Sequence, residues 1–347
     1  MHKSLSANLD FLRSVAVLLV ITQHLCRRMH VECIAWAPTT SLGLFGVLLF
    51  FVHTSLVLMY SMERSGLHGA LLLRDFFIRR IFRIYPLSIL AIAAALALHL
   101  ESDVNGIAGL SYGHLPGKVS ILSQVFLVQN LVHAKSIVNV LWSLPFEVQM
   151  YLFLPFLFAW VRGKRVFWSL LALWTVSLLA AWAQPRVAVL DRASLLTYVP
   201  CFLPGIIAFV TPRIPILSSY LWPLFIFGLV VVFTINPVMP MGSALCLVLG
   251  LFIPYFGEIQ TKAIRTISNR IATYSYGIYI SHQFCIWFAL GVLAARPVWL
   301  RVGVLSTSLM VLPIILYHGI EKPMIRTGIR LASRWRGKAA ATPAIAA

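Results

Sequence analysis

Three ionisable side chains interrupt the first apolar segment of the sequence, LDFLRSVAVLLVITQHL (residues 9–25): Asp10, Arg13 and His24. The segment resembles a membrane span, and an Asp or Arg at membrane depth costs roughly 2.5–3.5 kcal/mol even on the mildest insertion scales. Arg13 and His24 are 11 positions apart. On an α-helix they therefore share one face, about 16 Å apart. Asp10 and Arg13 form an i,i+3 pair that can partly neutralise each other.

A second group of basic residues lies in RDFFIRRIFRIYP (residues 74–86). Arg79, Arg80 and Arg83 fall within about 100° of arc on a helix, and Pro86 suits the first turn of a following helix. Such a basic amphipathic segment commonly anchors a protein to anionic lipid. The guanidinium fork also binds phosphate in a bidentate manner, so three forks on one face suit a ligand with several phosphates. Both interpretations stay open.

A carboxylate lies near the start of LWSLPFEVQMYLFLP (residues 141–155). Glu147 is roughly 9 Å further along a helix than Leu141, at a depth where a carboxylate usually has a function. His24 lies at a similar depth, so the two side chains are predicted to meet. The carboxylate would then fix the imidazole tautomer and make the other ring nitrogen a better base. A structural hydrogen bond from Glu147 to Trp, Tyr or Arg is the alternative, as is a capping role at the interface for His24.

Other polar residues carry weaker signals. His53 and His282 fall near the middle of apolar segments, where a histidine is often a packed hydrogen-bonding group, and Glu321 is expected at the inner interface. Cys26 and Cys33 share one loop and pair only if its compartment is oxidising. The spacing of Cys and His matches no zinc or haem site, so no metal is predicted, and no P-loop or dinucleotide-binding glycine pattern occurs.

The composition determines which elements must position these residues. The chain has 347 residues, of which 60% are hydrophobic and only 11% charged, whereas a soluble domain has about 25% charged residues. The predicted fold class is therefore all-α, a polytopic membrane helix bundle with one domain over residues 1–338 and a disordered, Ala-rich cytoplasmic tail over residues 339–347. The predicted spans, ten in number, lie near residues 9–25, 42–60, 85–100, 143–161, 166–183, 196–211, 215–234, 242–257, 272–293 and 302–320.

The net charge of +18 is explained by membrane topology and not by nucleic-acid binding. With the N-terminus inside, these spans place 20 of the 28 Lys and Arg residues on the cytoplasmic side and 8 outside. The positive-inside rule then predicts that both termini are cytoplasmic. The first span is not a cleavable signal peptide, because Arg27 and Arg28 follow it where small residues would be expected. Residues 121–131 are predicted to form a re-entrant or interfacial helix.

The sequence resembles acyltransferase family 3, a family of integral membrane acyltransferases. The resemblance covers most of the chain, and its motifs occur in the family's order: LDFLRSVAVLLVITQH (9–24), FFVHTSLVLMY (50–60), RRIFRIYP (79–86), LWSLPFEVQMYLFLP (141–155), YSYGIYISHQF (274–284) and EKP (321–323). The family usually has a Ser-Gly pair where this chain has Thr54 and Ser55, which puts the packing of the second span in doubt.

The resemblance implies an enzyme that transfers an acyl group, most often acetyl from acetyl-CoA, to a hydroxyl of an extracytoplasmic glycan. It implies that His24 is the catalytic histidine and Glu147 a functional acid. It also implies that Arg13, with Arg79, Arg80 and Arg83, binds acyl-CoA at the cytoplasmic side. The expected partners are acyl-CoA, a glycan or lipid-linked sugar and membrane lipids, and the expected location is the bacterial inner membrane.

A proton-coupled transporter or flippase of a glycan or small metabolite is the competing interpretation, because Asp, Arg, His and Glu in spans also build proton relays. Transporter folds often contain inverted repeats with broken helices, and none is evident in this sequence. A structural scaffold would not account for the charged residues in the spans.

Overall fold

A computed structural model describes residues 6–31, 40–103, 106–110, 116–187 and 193–341. In these ranges the chain is almost entirely helical, with twelve α-helices and one short β-hairpin. The first six helices are α1 Ala7–Arg28, α2 Thr40–Ser65, α3 Gly69–Ala97, α4 Lys118–Val125, α5 Leu144–Val161 and α6 Phe167–Ala183. The other six are α7 Val199–Val210, α8 Leu221–Ile235, α9 Met239–Phe252, α10 Lys262–Trp287, α11 Val298–Leu316 and α12 Lys322–Ala341. The strands β1 Leu100–Asp103 and β2 Gly106–Leu110 pair antiparallel.

The helices confirm a multi-pass membrane protein. Within the described ranges, six helical segments are long and apolar enough to cross a membrane: Ala7–Arg28, Ser41–Ser65, Gly69–Ala97, Asn139–Val161, Phe167–Arg186 and Val298–Trp335. Three shorter apolar helices cover Val199–Val210, Leu221–Ile235 and Met239–Tyr255. Each predicted span falls on a helix. Helix α10, which contains most of the predicted span at residues 272–293, is neither among the six long segments nor among the three shorter ones. The count of ten crossings and the cytoplasmic position of both termini stay predictions.

Helix α1 packs against both α2 and α10. The contact with α2 is close because Gly46 has no side chain: a Cβ there would lie 2.6 Å from the carbonyl oxygen of Ala16. Small residues allow such an approach between helices in a membrane. Helix α2 also packs against α7, and α3 packs against α12.

The predicted helix boundary at Pro86 is wrong. Helix α3 continues through this residue from Gly69 to Ala97. A proline inside a helix frees backbone groups that need other partners. In the turn before Pro86, the hydroxyl groups of Tyr276 and Ser88 both donate to the carbonyl oxygen of Ile84, at 2.6 and 3.1 Å. The carbonyl that loses its intrahelical donor is that of Phe82, four residues before the proline, so these bonds do not replace the lost one. The helix nevertheless continues, and the basic segment belongs to one long helix.

The described polypeptide from residue 116 to α5 contains short helical turns. Helix α4 is followed by 3₁₀ turns at Gln129–Val132 and Asn139–Ser143. The apolar side chains of Val119, Leu122 and Phe126 are exposed, which agrees with an interfacial segment, although its depth in a membrane stays a prediction. Because α5 begins only at Leu144, Glu147 lies in its first turn.

Cys26, one of the two cysteines predicted to share a loop, lies near the end of α1. Cys26 is disulfide-bonded, whereas Cys33 lies outside the described residues, so their pairing stays a prediction.

Helix α12 ends at Ala341, which places the first three residues of the predicted tail in a helix. The remaining tail residues, 342–347, are outside the described part of the chain.

Candidate functional site

Arg13 and His24 both face α10. The Nε atom of Arg13 donates to the buried hydroxyl of Ser275 at 2.5 Å. The two ring nitrogens of His24 each lie 3.4 Å from Nε2 of Gln283. The interface between α1 and α10 therefore contains two polar groups of residues, separated by about 16 Å along the helix axis.

The first group surrounds Arg13 and is called the arginine cluster: Arg13, Arg80, Arg83, Glu147 and Glu321. Arg13 lies within electrostatic reach of Arg83, Glu147 and Glu321. Nη1 of Arg83 is 3.7 Å from Oε1 of Glu321. Three guanidinium groups share two carboxylates, and the carboxylate of Asp10 also acts on Arg13.

Tyr151 connects Glu147 to this cluster. Its hydroxyl donates to Oε1 of Glu147, one turn earlier on α5, and it lies within electrostatic reach of Arg80 on α3. Glu147 also acts electrostatically on Arg80 and Arg13.

Several charged atoms of the cluster lack hydrogen-bond partners. Among the described residues, both carboxylate oxygens of Glu321 and Nε of Arg80 are buried without one. Such groups cost free energy unless a polar group meets them. The cluster is therefore suited to a polar or charged ligand.

Glu321 is more buried than the sequence suggested. Its position at the inner interface stays a prediction, but the residue is 1% exposed and lies in the π-helical turn Tyr317–Glu321 between α11 and α12. A buried carboxylate needs a partner that compensates its charge, whereas a carboxylate in contact with water does not. Arg83 supplies part of this compensation.

The three arginines of α3 do not share one environment. Nε of Arg79 is 3.0 Å from Oδ2 of Asp75, one turn earlier on the same helix. Arg80 and Arg83 are three residues apart, and both point into the cluster. Arg79 is paired within α3, and a single ligand-binding face of all three arginines stays a prediction.

Two other predicted residues lie near the cluster. Asp10 accepts a hydrogen bond from Asn269 of α10 at 2.9 Å, although its charge also acts on Arg13. The predicted Asp10–Arg13 pair is therefore only electrostatic. His53 is buried on α2, within electrostatic reach of Arg13 and Arg83.

The second polar group, called the histidine site, consists of His24, His282 and Gln283. The rings of His24 and His282 have centroids 5.2 Å apart, and both side chains are buried. Nδ1 of His282 is 3.1 Å from the carbonyl oxygen of Ile278. This nitrogen must donate, because the carbonyl can only accept, so Nε2 carries the lone pair in the neutral ring. Within the described chain that Nε2 atom has no hydrogen-bond partner.

A small cavity of about 80 Å³ borders His24. Its polar walls are Gln23, His24, Trp142 and Tyr279, and its remaining walls come from Val20, Gly43, Leu44, Val47 and Val140. His24 thus faces a space that a reacting group can enter, at the end of α1 opposite to the arginine cluster.

The predicted contact between Glu147 and His24 is wrong. In the described part of the chain Glu147 bonds to Tyr151, and the charges acting on His24 come from His282 and Arg27. Depth along a helix does not determine the direction of a side chain, and α5 packs against α2, α3 and α7 and not closely against α1. Glu147 therefore belongs to the arginine cluster.

The sequence reasoning missed four polar residues of these sites: Gln23, Tyr151, Ser275 and Gln283. All four lie inside motifs that were already singled out: Gln23 is next to His24, Tyr151 is four residues after Glu147, and Ser275 and Gln283 lie in the motif that contains His282. Uncharged Tyr, Ser and Gln give little signal in an apolar sequence. A search for potential metal-ligand groups of three or more His, Cys, Asp or Glu found none among the described residues.

Comparison with known proteins gives one result. The family model of the acyltransferase domain, acyltransferase family 3, matches residues 6–318, which is nearly the whole chain. No curated protein and no solved structure matches the sequence. The matched region contains the arginines and histidines of both sites, and its last residues lie three positions before Glu321.

Proposed function

Because this chain belongs to acyltransferase family 3, whose members are membrane acyltransferases, we propose that it is an acyl-CoA-dependent O-acyltransferase. It transfers an acyl group, most simply acetyl, from cytoplasmic acyl-CoA to a hydroxyl of an extracytoplasmic glycan or glycolipid. The observation that carries this proposal is the arrangement on α1. A half-buried arginine cluster lies at one end, and an imidazole beside a cavity lies at the other.

The arginine cluster would bind the donor. Acyl-CoA carries a pyrophosphate and a 3′-phosphate, and guanidinium groups bind phosphate oxygens through paired, charge-assisted hydrogen bonds. The convergence of Arg13, Arg80 and Arg83, with Nε of Arg80 lacking a partner among the described residues, supports the binding of an anion. In this proposal Glu147 acts through Tyr151 to orient Arg80, and it does not touch the reacting atoms.

His24 would act as the general base. Neutral imidazole removes the proton of the acceptor hydroxyl while that oxygen bonds to the thioester carbonyl carbon. Collapse of the tetrahedral adduct breaks the C–S bond, and His24 returns the proton to the departing CoA thiolate. The ring is then neutral again, and the products are the ester and free CoA.

The direction of transfer follows from the predicted topology. The arginine cluster lies toward the beginning of α1 and the histidine site toward its end. With a cytoplasmic N-terminus, the donor binds inside and the acceptor reacts near the outer surface. This arrangement fits a multi-pass protein of the bacterial inner membrane that needs no metal ion.

The experiment that tests the proposal uses inverted membrane vesicles containing the protein and acetyl-CoA labelled either in the acetyl group or in the CoA moiety. The expected result is alkali-labile acetyl label in the saccharide or glycolipid fraction, with no incorporation of the CoA label. Vesicles without the protein are the control. A proton-coupled transporter or flippase would leave the acetyl label on CoA, and that result with correctly inserted protein would overturn the proposal.

A further inference from the structure

Gln23 is a buried carboxamide whose orientation is fixed by the neighbouring helix. Its side chain is 8% exposed, and its Oε1 atom accepts a hydrogen bond of 2.7 Å from the backbone N–H of Gly43 in the first turn of α2. A backbone N–H can only donate, so the oxygen of the amide must face Gly43. The NH₂ group therefore points away from α2.

The NH₂ group of Gln23 is available for a ligand. No hydrogen bond joins it to any residue that the structure describes, and Gln23 lines the same cavity as His24. The hydroxyl of Tyr279, also in the lining, donates to the carbonyl oxygen of Val140 at 2.7 Å. The proton of Tyr279 is therefore already used.

Apart from His24 itself, one other side-chain N–H donor belongs to the described lining, the indole of Trp142. Its ring packs against Phe146 and Tyr198, with centroid distances of 6.1 and 5.9 Å. Packing against these two aromatic rings sets the orientation of the Trp142 indole. The orientation of Gln23 is instead set by its hydrogen bond from Gly43, and Gln23 is next to His24, the proposed base.

We propose that Nε2 of Gln23 is the oxyanion donor of the acyl transfer. This inference rests on the proposed function. As the nucleophile bonds to the thioester carbon, the carbonyl electrons move onto oxygen, and the Gln23 amide donates to that oxygen. When the C–S bond breaks, the electrons return to re-form the carbonyl, and His24 delivers the proton to the thiolate. A preorganised donor of this kind is worth about 10²–10³ in kcat.

The position of Gln23 depends on glycine at residue 43. A Cβ at this position would lie 2.2 Å from Oε1 of Gln23, so alanine would force the amide to move. The close approach of the Gly43 backbone to Gln23 therefore has two consequences. It forms the hydrogen bond that orients the donor, and it requires glycine at residue 43.

The test uses purified protein in detergent and measures thiol release from acetyl-CoA with water as the acceptor. Gln23→Glu keeps an oxygen for the Gly43 N–H, but the ionised carboxylate has no proton to donate. We expect kcat to fall by about 10²–10³, while KM for acetyl-CoA changes less than threefold. Gln23→Met, which has a similar shape and no donor, should lose a similar factor if the carboxylate variant is unstable.

Two matched variants separate this role from general damage. Gln149→Glu makes the same chemical change at an amide that is paired with Asn130, and it should keep the wild-type kcat. Trp142→Phe removes the other N–H donor and should keep at least a tenth of kcat. Thermal unfolding in detergent checks that each variant is folded.

The outcomes are distinct. Folded Gln23 variants with kcat within threefold of wild type overturn this inference, as does a loss confined to Trp142→Phe, which would assign the donor to the indole. Either result leaves the acyltransferase function standing. Wild-type protein that neither transfers acetyl nor releases thiol from acetyl-CoA would instead overturn the proposed function.

Discussion

At the scale of single residues, the positive charges of Arg80 and Arg83 are only partly compensated by neighbouring carboxylates. Glu321 and Glu147 compensate part of the positive charge, and removing either partner of a buried charge pair typically costs about 3–5 kcal/mol. A truncation would therefore combine lost binding with lost stability. Lysine keeps the charge but removes the planar fork, so it separates the two effects.

We predict that Arg80→Lys and Arg83→Lys each raise KM for acetyl-CoA by about tenfold, because a contact worth about 1.4 kcal/mol is lost from the bound donor. The value of kcat should change less than threefold. Arg74→Lys is the matched control, because Arg74 is exposed on the same helix and stacks on Trp335 at 4.6 Å. A double variant of Arg80 and Arg83 with normal KM would contradict the assignment.

Much of the residue-level site could be predicted from the sequence. The expense of a charge in an apolar segment identified Arg13, His24 and Glu147, and the helical repeat placed Arg13 and His24 on one face. The direction of Glu147 could not be predicted, because it depends on which helices α5 contacts. Gln23 gave no signal, because its function depends on a backbone N–H from another helix.

At the scale of helices, close contacts fix the relation between α2 and α7. Ser55 is fully buried, and its hydroxyl donates to the carbonyl oxygen of Phe202 at 2.7 Å. A Cβ on Gly205 would lie 2.0 Å from Oγ of Ser55 and 2.3 Å from the Val52 carbonyl oxygen. The departure from the family pattern at Thr54 and Ser55 is thus accommodated by Gly205 on the facing helix.

We predict that Gly205→Ala lowers the thermal stability of the protein strongly, because α2 and α7 must separate to admit the methyl group. Overpacking of this kind typically costs about 1–3 kcal/mol or more. Gly228→Ala on α8 is the control, because a Cβ there meets nothing within 4 Å. Equal unfolding temperatures for the two variants would contradict the packing described here.

A second element-level contact ties the beginning of α1 to the segment before α10. Glu258 accepts a hydrogen bond of 2.7 Å from Ser6, another from the backbone of Asn8 and an ion pair from Arg213. Burial alone raises the pKa of Glu258, but these hydrogen bonds outweigh burial and lower the pKa below its ordinary value. A lowered pKa in the folded state stabilises the protein above the unfolded-state pKa, and this stabilisation is lost as pH falls through the folded-state pKa.

We therefore predict that Glu258→Gln unfolds at a lower temperature than wild type at pH 7 and that the difference shrinks as the pH is lowered below about 4. The measurement is thermal unfolding in detergent across this pH range. Glu63→Gln, at an exposed position near the end of α2, should show no such dependence. If the difference in unfolding temperature between wild type and Glu258→Gln is the same at pH 7 as below about pH 4, this role of Glu258 is ruled out.

Helix boundaries were the least predictable elements. Pro86 suggested a break because proline cannot donate, yet α3 runs through it, and the neighbouring turn contacts α10 through the hydrogen bond from Tyr276 to the Ile84 carbonyl oxygen. This contact comes from nearly two hundred residues away in sequence, so no local pattern could have indicated it. The positions of the apolar helices were predictable, because length and hydropathy are local properties.

At the scale of the whole molecule, the proposal requires donor and acceptor to meet from opposite sides of a membrane. The arrangement of Arg13 and His24 along α1 supplies two sites about 16 Å apart. The side on which each site lies follows from the distribution of Lys and Arg, of which the predicted topology places 20 inside and 8 outside.

We predict that reporter proteins fused after Lys164 and after Lys338 both score as cytoplasmic. Lys164 follows α5 directly, and Lys338 lies in α12, so the two fusions sample different parts of the chain. A fusion after Lys135, on the opposite side in this topology, should score as extracytoplasmic. The reverse pattern would place the arginine cluster on the wrong side for cytoplasmic acyl-CoA.

The most direct test of the central claim is the rate of acetyl transfer by His24→Gln compared with wild type. Glutamine is similar in size and forms hydrogen bonds, but it cannot accept a proton at neutral pH. Because loss of a positioned acid–base group typically costs about 10²–10⁴ in rate, we predict a fall in kcat of this size with unchanged affinity for acetyl-CoA. A folded His24→Gln protein with near-normal turnover would show that His24 exchanges no proton and would contradict the account.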